Sequence, residues 1–578
     1  MSGFYCELRN NQFHADKKEK FFSRYSVVFE GEIYNKDECL KKFLLPLSAD
    51  CVTNEWVIAF LYDKYRSACA KHLRGKFAFA IWDEKQQTLL AARDPFGIQP
   101  LFYLRTNAGF KFATAKSKLQ ACIHPFKINQ TALQHYFSFQ YVPESHSLRE
   151  NMKSLASVPP GCTLHVHSQA AEAKRYFKLT FHPMNKDARS FTEAVKQLLT
   201  RSIKSHIQGA DRIGVFLSGG IDSASIAAIA KQFNPGIKTF TVGFAESGYS
   251  EIEWAKDTAD RLNVEHYAKM ITPEEVIEML PQVIRAFEEP IADPAAIPLF
   301  FAAREARKHA PVVLTGEGAD ELFGGYKIYR EPYARFLFRY LPGWLNRALH
   351  KLALRLPERM KGKNYLWRAT TPIEARYIGN ANIFNESEKQ QLLIGYDAAI
   401  STADVTTTLF SEAKAYDDSM KMQYIDLHTW LKDDILATAN QIAGSHNLEL
   451  RYPFLDKDLF NLARQIPTKA KLAKRTTKYV LRIAMEGLVP QSVLQRKKLG
   501  IPVPINHWLR NEMYGFAKET IIASSLDGII DKQKALALLD EHALAAHDHS
   551  RKLWTILIFL LWHRYHVEEK NKLHEGFA

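Results

Sequence analysis

The sequence predicts an α/β protein in two parts. The first, over residues 1–180, is an α/β/β/α sandwich; the second, over residues 190–578, is a doubly wound parallel sheet followed by a mostly helical C-terminal part. Three observations predict this. Short apolar or alternating runs separated by turns fill the first part, and strand and helix patterns alternate in the second. All six cysteines (Cys6, Cys39, Cys51, Cys69, Cys122, Cys162) lie in the first 162 residues, which suggests two parts of separate origin.

The elements follow in order. SRYSVVFEGEIYN (23–35) reads as a strand and turn. FAFAIWD (77–83) and TLLAARD (88–94) read as paired strands, and PLFYLRTNAGFKFATA (100–115) as a hairpin bent at Asn107-Ala108-Gly109. A helix is expected within 54–72, and VPPGCTLHVHSQ (158–169) supplies a turn and another strand. After a linker at 181–190, FTEAVKQLLTRSIKSHI (191–207) has the spacing of an amphipathic helix. Residues 211–233 read as strand, glycine turn and helix, and IKTFTVGF (237–244) as the next strand. From about 330 onward the chain is mostly helical.

Lys plus Arg number 77 against 63 Asp plus Glu, a net charge of +14. That favours anionic partners such as nucleotides, acidic peptides or membrane surfaces, but the basic residues are scattered and do not choose among them. A nucleic-acid partner is not expected. The balance of 46% hydrophobic and 24% charged residues excludes a disordered or fibrous chain. LWTILIFLLW (553–562) is too short to span a bilayer and reads as a buried helix. The N-terminus lacks an apolar stretch of signal-peptide type, and no cysteine has metal-ligand spacing. A cytoplasmic chain with free thiols is the expectation.

The sharpest feature is Leu217-Ser218-Gly219-Gly220-Ile221-Asp222-Ser223, between an apolar strand and an apolar helix. Two glycines let the backbone approach a phosphate, and the N–H groups opening the helix point at the anion. Ser218 and Ser223 can donate hydrogen bonds, and Asp222 sits where a carboxylate could hold Mg²⁺. Without the lysine of G-x-x-x-x-G-K-[ST] it is not a Walker A loop.

This loop resembles the pyrophosphate loop of ATP pyrophosphatases, which split ATP between the α and β phosphates and activate a substrate as its adenylate. TFTVGF (239–244), EEPIADPAAIPLF (288–300), LTGEGADELFGGY (314–326), LELRYPFLD (448–456), TTKYVLRIAMEGLVP (476–490), RKKLGIPVP (496–504) and LWTILIFLLWHRYH (553–566) resemble segments of the asparagine synthetase B family. GEIYN (31–35), GKFAFAIWD (75–83), RDPFGIQPLFY (93–103) and VPPG (158–161) resemble that family's N-terminal glutaminase domain, an Ntn-type sandwich. The resemblance covers essentially the whole chain. It implies ATP and Mg²⁺ as cofactors, with Asp222 and Asp320 holding the metal on the pyrophosphate and Ser218, Gly219, Gly220 and Ser223 cradling it. Leu217 and Gly316 would flank the nucleotide, and Val242 and Gly243 would border the adenine. Lys478 would stabilise charge at the α-phosphate and the tetrahedral intermediate, and Glu317 would be the base for the attacking amine. Blander readings stay open: Asp320-Glu321 as a helix N-terminal pair, Lys478 as a surface lysine, and Arg496, Lys497 and Lys498 as a solvated run.

The glutaminase half departs from the family pattern. Its nucleophile is a cysteine exposed by removal of the initiator Met; here that position is Ser2, and a hydroxyl is far harder to deprotonate than a thiol. An active serine nucleophile stays open. The asparagine of Asn-Gly-Glu-Ile-Tyr-Asn is Glu30, an anion that opposes a developing oxyanion. The aspartate of Ser-Asp-x-Glu is Thr53. The Arg-Gly-Pro-Asp loop falls in a stretch missing before residue 30. Cys6 is a substitute nucleophile only if the chain is processed; otherwise it reads as a core thiol.

Three readings follow. The leading one is a dedicated ATP-dependent amide ligase that does not hydrolyse glutamine, like the lasso-peptide cyclases, which close a macrolactam on a peptide. The others are an asparagine synthetase using ammonia or glutamine, and a non-catalytic ATP-fold protein. The family's cation before LEVRVPFLD is absent at Ala439-Asn440-Gln441, which leans toward a larger substrate, whereas Glu317 is what an asparagine synthetase would have. Residues 329–363 are basic and aromatic, and read either as a peptide groove or membrane-facing surface, or as an amphipathic helical pair packed on the core. A leader-peptide-binding protein or a protease could work alongside.

Overall fold

Along residues 75–83 the side chains alternate between two buried environments. Phe77, Phe79 and Ile81 pack with Val57, Ile58 and Leu61 of the helix Asn54–Tyr65, while Ala78, Ala80 and Trp82 face Phe110 and Phe112 of a second sheet. A strand covered on both faces reads as a continuous apolar run, which is what this segment shows.

A computed structural model of the chain describes residues 3–10, 12–43, 52–119, 126–152, 154–167, 170–334, 338, 340–357, 360, 362–474, 476–496, 500 and 502–569. Ser2, Cys51, Cys122, Lys497 and Lys498 lie outside the described residues. Among the described residues eleven strands form the N-terminal part: β1 (Tyr5–Arg9), β2 (Gln12–Ala15), β3 (Glu19–Phe21), β4 (Tyr25–Ile33), β5 (Gly75–Asp83), β6 (Thr88–Arg93), β7 (Phe102–Thr106), β8 (Gly109–Ala113), β9 (Ala156–Ser157), β10 (Cys162–His167) and β11 (Ala170–Arg175). They make two antiparallel sheets, ordered β2-β1-β8-β7-β9 and β11-β10-β6-β5-β4-β3. Phe4, Cys6, Leu8, Val28 and Phe112 fill the space between them. Cys6 is fully buried, and burial pushes its thiol far above the ordinary range, so it is a core residue and not a nucleophile.

The second part has β12 (Ile213–Phe216), β13 (Lys238–Phe244), β14 (Glu265–Ile271), β15 (Val312–Leu314) and β16 (Glu449–Arg451), all parallel, in the order β14-β13-β12-β15-β16. The chain leaves β12 toward β13 on one side and returns through β15 on the other. The carboxyl end of β12 is therefore the topological switch point, where open α/β sheets bind ligands. Helices follow β15 for most of the remaining length. The helix Ser550–His563 is buried in the main core from Leu553 onward, as its apolar run predicts. Among the described residues no helix is long and apolar enough to cross a membrane.

Buried ion pairs join the two parts. Arg74 bonds Asp456 at 2.9 Å, and Glu144 lies 2.6 Å from Arg93 and 3.0 Å from Lys432. Though burial alone would raise it, the Arg93 and Lys432 charges hold the Glu144 carboxyl down to about 2.

Candidate active site

The loop after β12 turns at Gly219 and Gly220 into the helix Ile221–Phe233, which has no side-chain cap on its first turn. Its opening N–H groups are thus directed at whatever occupies the cavity. Ser218 and Ser223 brace the loop: the Ser218 N–H donates to Ser223 Oγ at 3.0 Å, and the Gly220 N–H to Ser218 Oγ at 3.2 Å. The Gly219 N–H donates to Glu251 Oε2 at 3.0 Å, so a carboxylate already occupies part of the anion cradle. Arg496 donates to the Gly219 carbonyl at 2.9 Å and stacks on Trp254, and so is not a solvated lysine-like charge.

A cavity of about 670 Å³ opens beside the loop. Leu217, Ser218, Gly219, Gly220, Asp222 and Ser223 form one side, and Gly316, Glu317 and Asp320 the other. Val242 lies on its wall. Gly243 does not: a side chain there would point at Ser250 and Ile252. Lys478 is 2% exposed and therefore not a surface lysine. It bonds Asp222 and lies 2.7 Å from Asp320. Burial alone would lower its pKa, but the two carboxylates outweigh that and hold it up. Its backbone is left-handed (φ 54°, ψ 34°), a strained conformation for lysine of the kind found at functional sites. Gly325 explains the tightness: a Cβ there would overlap both the Asp320 carboxylate and the Lys478 stem.

Asp222 and Asp320 converge on one point, and Asp222 Oδ1 is buried without a hydrogen-bond partner. Two carboxylates beside a phosphate cradle are the donor set Mg²⁺ takes in nucleotide sites, so these residues fit the ion.

Burial, together with the charges of Asp320 and Asp222, raises the Glu317 carboxyl despite a hydrogen bond from Thr315. That moves it toward the range of a general base working near neutrality. Three acids here had no predicted site role, Glu321 being read only as half of a helix N-terminal pair, and it does stand in the first turn of the helix Ala319–Phe323. Glu251 ends the S-G-Y-S-E run before its helix. Glu321 is buried, accepts from Tyr326 at 2.7 Å, and is pushed up to about 8 by burial and Asp320. Asp293, also on the wall, is raised by burial. Only EEPIADP and GADE signalled the last two, as family strings.

The segment 430–445 separates this cavity from a second one of about 510 Å³ between the two parts. Ile435, Thr438 and Ala439 face the nucleotide side. Asn440 is turned away, donating to the Ile98 carbonyl at 2.8 Å and accepting from Tyr452 at 2.7 Å. Gln441 accepts from the Glu288 N–H at 2.9 Å. The second cavity is lined by Glu30, Gly31 and Thr114, among others. Thr53 is at a helix start, where its hydroxyl accepts from the Trp56 N–H at 3.1 Å as an N-cap.

Fold and cradle define a two-part enzyme that activates its substrate with a nucleotide. A family model described as "Asparagine synthase" matches residues 194–564, and one described as "Glutamine amidotransferase domain" matches 18–177. The chain is 44% identical over 550 residues to "Asparagine synthetase [glutamine-hydrolyzing] 1" of Bacillus subtilis, covering 94% of this chain and 86% of that one. It is 42% identical over 557 residues to a putative asparagine synthetase [glutamine-hydrolyzing] of Mycobacterium tuberculosis (94% and 85%), and 26% identical over 592 residues to the amidase chry2 of Gibberella zeae (89% and 84%). The chain belongs to the asparagine synthase family and is an ATP-dependent ligase.

Proposed function

We propose that this ligase adenylates a carboxylate and joins it to an amine without hydrolysing glutamine, and that its product is a macrolactam closed on a peptide. The observation that carries this reading is the charge of the cavity wall beyond the phosphate loop. Among the described residues its cations are Lys327, Lys478, Arg482 and Arg496. Lys478 is engaged by Asp222 and Asp320, Arg482 by the Thr477 and Leu494 carbonyls, and Arg496 by Gly219. Lys327 is exposed. Among the described residues no buried cation of this wall is left without a partner to pair the second carboxylate of free aspartate.

Support against glutamine hydrolysis comes from the other cavity. Glu30 brings a carboxylate where the family has an asparagine, opposing a developing oxyanion. Thr53 is committed to capping a helix, and it cannot pair an ammonium group as an aspartate does. Ser2 replaces the thiol nucleophile and lies outside the described residues.

In this mechanism the N–H groups that open the helix Ile221–Phe233 hold the pyrophosphate. Lys478 balances charge at the α-phosphate, and Glu317 takes a proton from the attacking amine. Asp222 and Asp320 would hold Mg²⁺, which when bound neutralises phosphate charge. A leader-peptide-binding partner and a cytoplasmic setting are part of the same proposal.

The 44% identity to a protein named asparagine synthetase favours a second reading, asparagine formation from aspartate with ammonia or glutamine as nitrogen source. The purified protein with Mg·ATP and aspartate, given ¹⁵N-ammonium or amide-¹⁵N glutamine, separates the two by mass spectrometry. No labelled asparagine from either source is expected. Label from either source establishes the second reading and overturns the first, and label from glutamine also overturns the loss of glutamine hydrolysis.

A further inference from the structure

Outside the site, the most unusual region is the stretch after the cavity-lining turn Lys327–Arg330. Between 335 and 370 the sequence has nine Lys or Arg and one Glu, in a chain whose net charge is +14. Two helices form there, Gly343–Arg355 and Lys363–Thr370. They are tied to each other by His350 Nδ1, which is 3.2 Å from Thr370 Oγ1. Only Ala353 of the pair is fully buried, so the two helices do not pack on the core as an amphipathic pair should.

What faces outward is not a solvated polar surface. Tyr340 is 70% exposed, Trp344 66% and Leu354 60%, with Leu352, Met360 and Tyr365 about half exposed. On the first helix, Trp344, Arg347, Lys351, Leu352 and Arg355 recur at the spacing of one face and are all exposed. Leu345, Leu349 and Ala353 form the inward side. On the second helix Tyr365 is exposed, while Arg368 lies 3.8 Å from Glu331 and ties the pair to residues 327–334. A groove for a peptide would cover its apolar lining. Here the large apolar groups stand in solvent among cations, the pattern of helices that lie in the headgroup layer of a bilayer.

We propose that the helical pair 343–370 docks the enzyme flat on an anionic lipid bilayer, with Trp344, Leu352, Leu354 and Tyr365 entering the headgroup layer. Arg347, Lys351 and Arg355 meet the lipid phosphates. The surface adjoins the mouth of the nucleotide cavity through residues 327–334 and is independent of which carboxylate is activated there.

The test is flotation of the full-length protein with vesicles of phosphatidylglycerol and phosphatidylcholine. Binding to the anionic vesicles, weakening as salt rises, is expected; binding to pure phosphatidylcholine is not. Arg347→Glu with Lys351→Glu should weaken anionic-vesicle binding by at least about thirtyfold, since each lost cation near such a surface is worth about fivefold. Stabilisation by Mg·ATP should be unchanged in that variant. Should it fail to fold, lysine acetylation of the unaltered protein gives the same answer, with Lys351 protected by anionic vesicles. Failure of the unaltered protein to float, undiminished binding by the folded variant, or an unprotected Lys351 would overturn the proposal. Capture of an acidic peptide on this face without vesicle binding would overturn it too.

Discussion

Lys478→Met offers a test of the site that needs no knowledge of the substrate. The substitution keeps the length of the side chain and removes the charge. In the native protein that charge sits 2.7 Å from Asp320 and bonds Asp222, at 2% exposure. Breaking a buried pair by deleting one partner costs about 3–5 kcal/mol, because the other charge is left unpaired in a poorly solvated place. Spread over a unfolding unit of several hundred residues, that lowers Tm by on the order of 5 °C. The two carboxylates then face each other with Asp222 Oδ1 already lacking a partner, so a divalent cation becomes their best counter-ion. Thermal melting with and without millimolar Mg²⁺ is the assay. The variant should lose stability without the ion and recover most of it with the ion, while the unaltered protein responds weakly. An unchanged Tm, or a loss that Mg²⁺ does not reverse, would refute the placement of this lysine between two metal-binding carboxylates.

Three further outcomes follow from the geometry. Gly325→Ala should displace Asp320 and Lys478 and lower AMP formation about a hundredfold in a steady-state assay, with the fold intact by circular dichroism. Glu317→Gln should slow amide formation by about 10²–10⁴ while pyrophosphate release in a first turnover persists, as quenched-flow would show. Asp426 is held up to about 7 by burial, although Tyr329 and Tyr377 both donate to it at 2.6 Å. A raised carboxyl favours the folded state while protonated. Its contribution is complete below the ordinary value of 3.8 and is lost as pH rises toward about 7. Asp426→Asn should therefore melt higher than the unaltered protein at pH 8, by up to about 4 kcal/mol, and show little gain at pH 4 in calorimetry.

Legibility in the sequence depended on range. The continuous apolar run 77–82 reports a strand covered on both faces because side-chain direction along a strand is a local property. The serine-glycine turn between β12 and its helix reports a phosphate cradle for the same reason. Lys478 could be named only through the resemblance of TTKY, since its partners Asp222 and Asp320 are distant in the chain. Glu251 and Asp293 carry no predicted role and Glu321 reads only as part of a helix start, because their place on the cavity wall comes from burial that no local pattern encodes. The resemblance places both Val242 and Gly243 at the adenine, but adjacent strand residues face opposite sides, and only Val242 lines the cavity. The pair 343–370 had the pattern of helices packed on a core, and their exposed apolar side chains emerged only with the fold.

The claim that sets this chain apart from its glutamine-hydrolysing relatives rests on Ser2, Glu30 and Thr53 together. Glutamate release from glutamine by the purified protein, with and without Mg·ATP, tests it most directly. No glutamate above the level of a boiled sample is expected. Steady ATP-stimulated release of glutamate, abolished by Ser2→Ala, would contradict it.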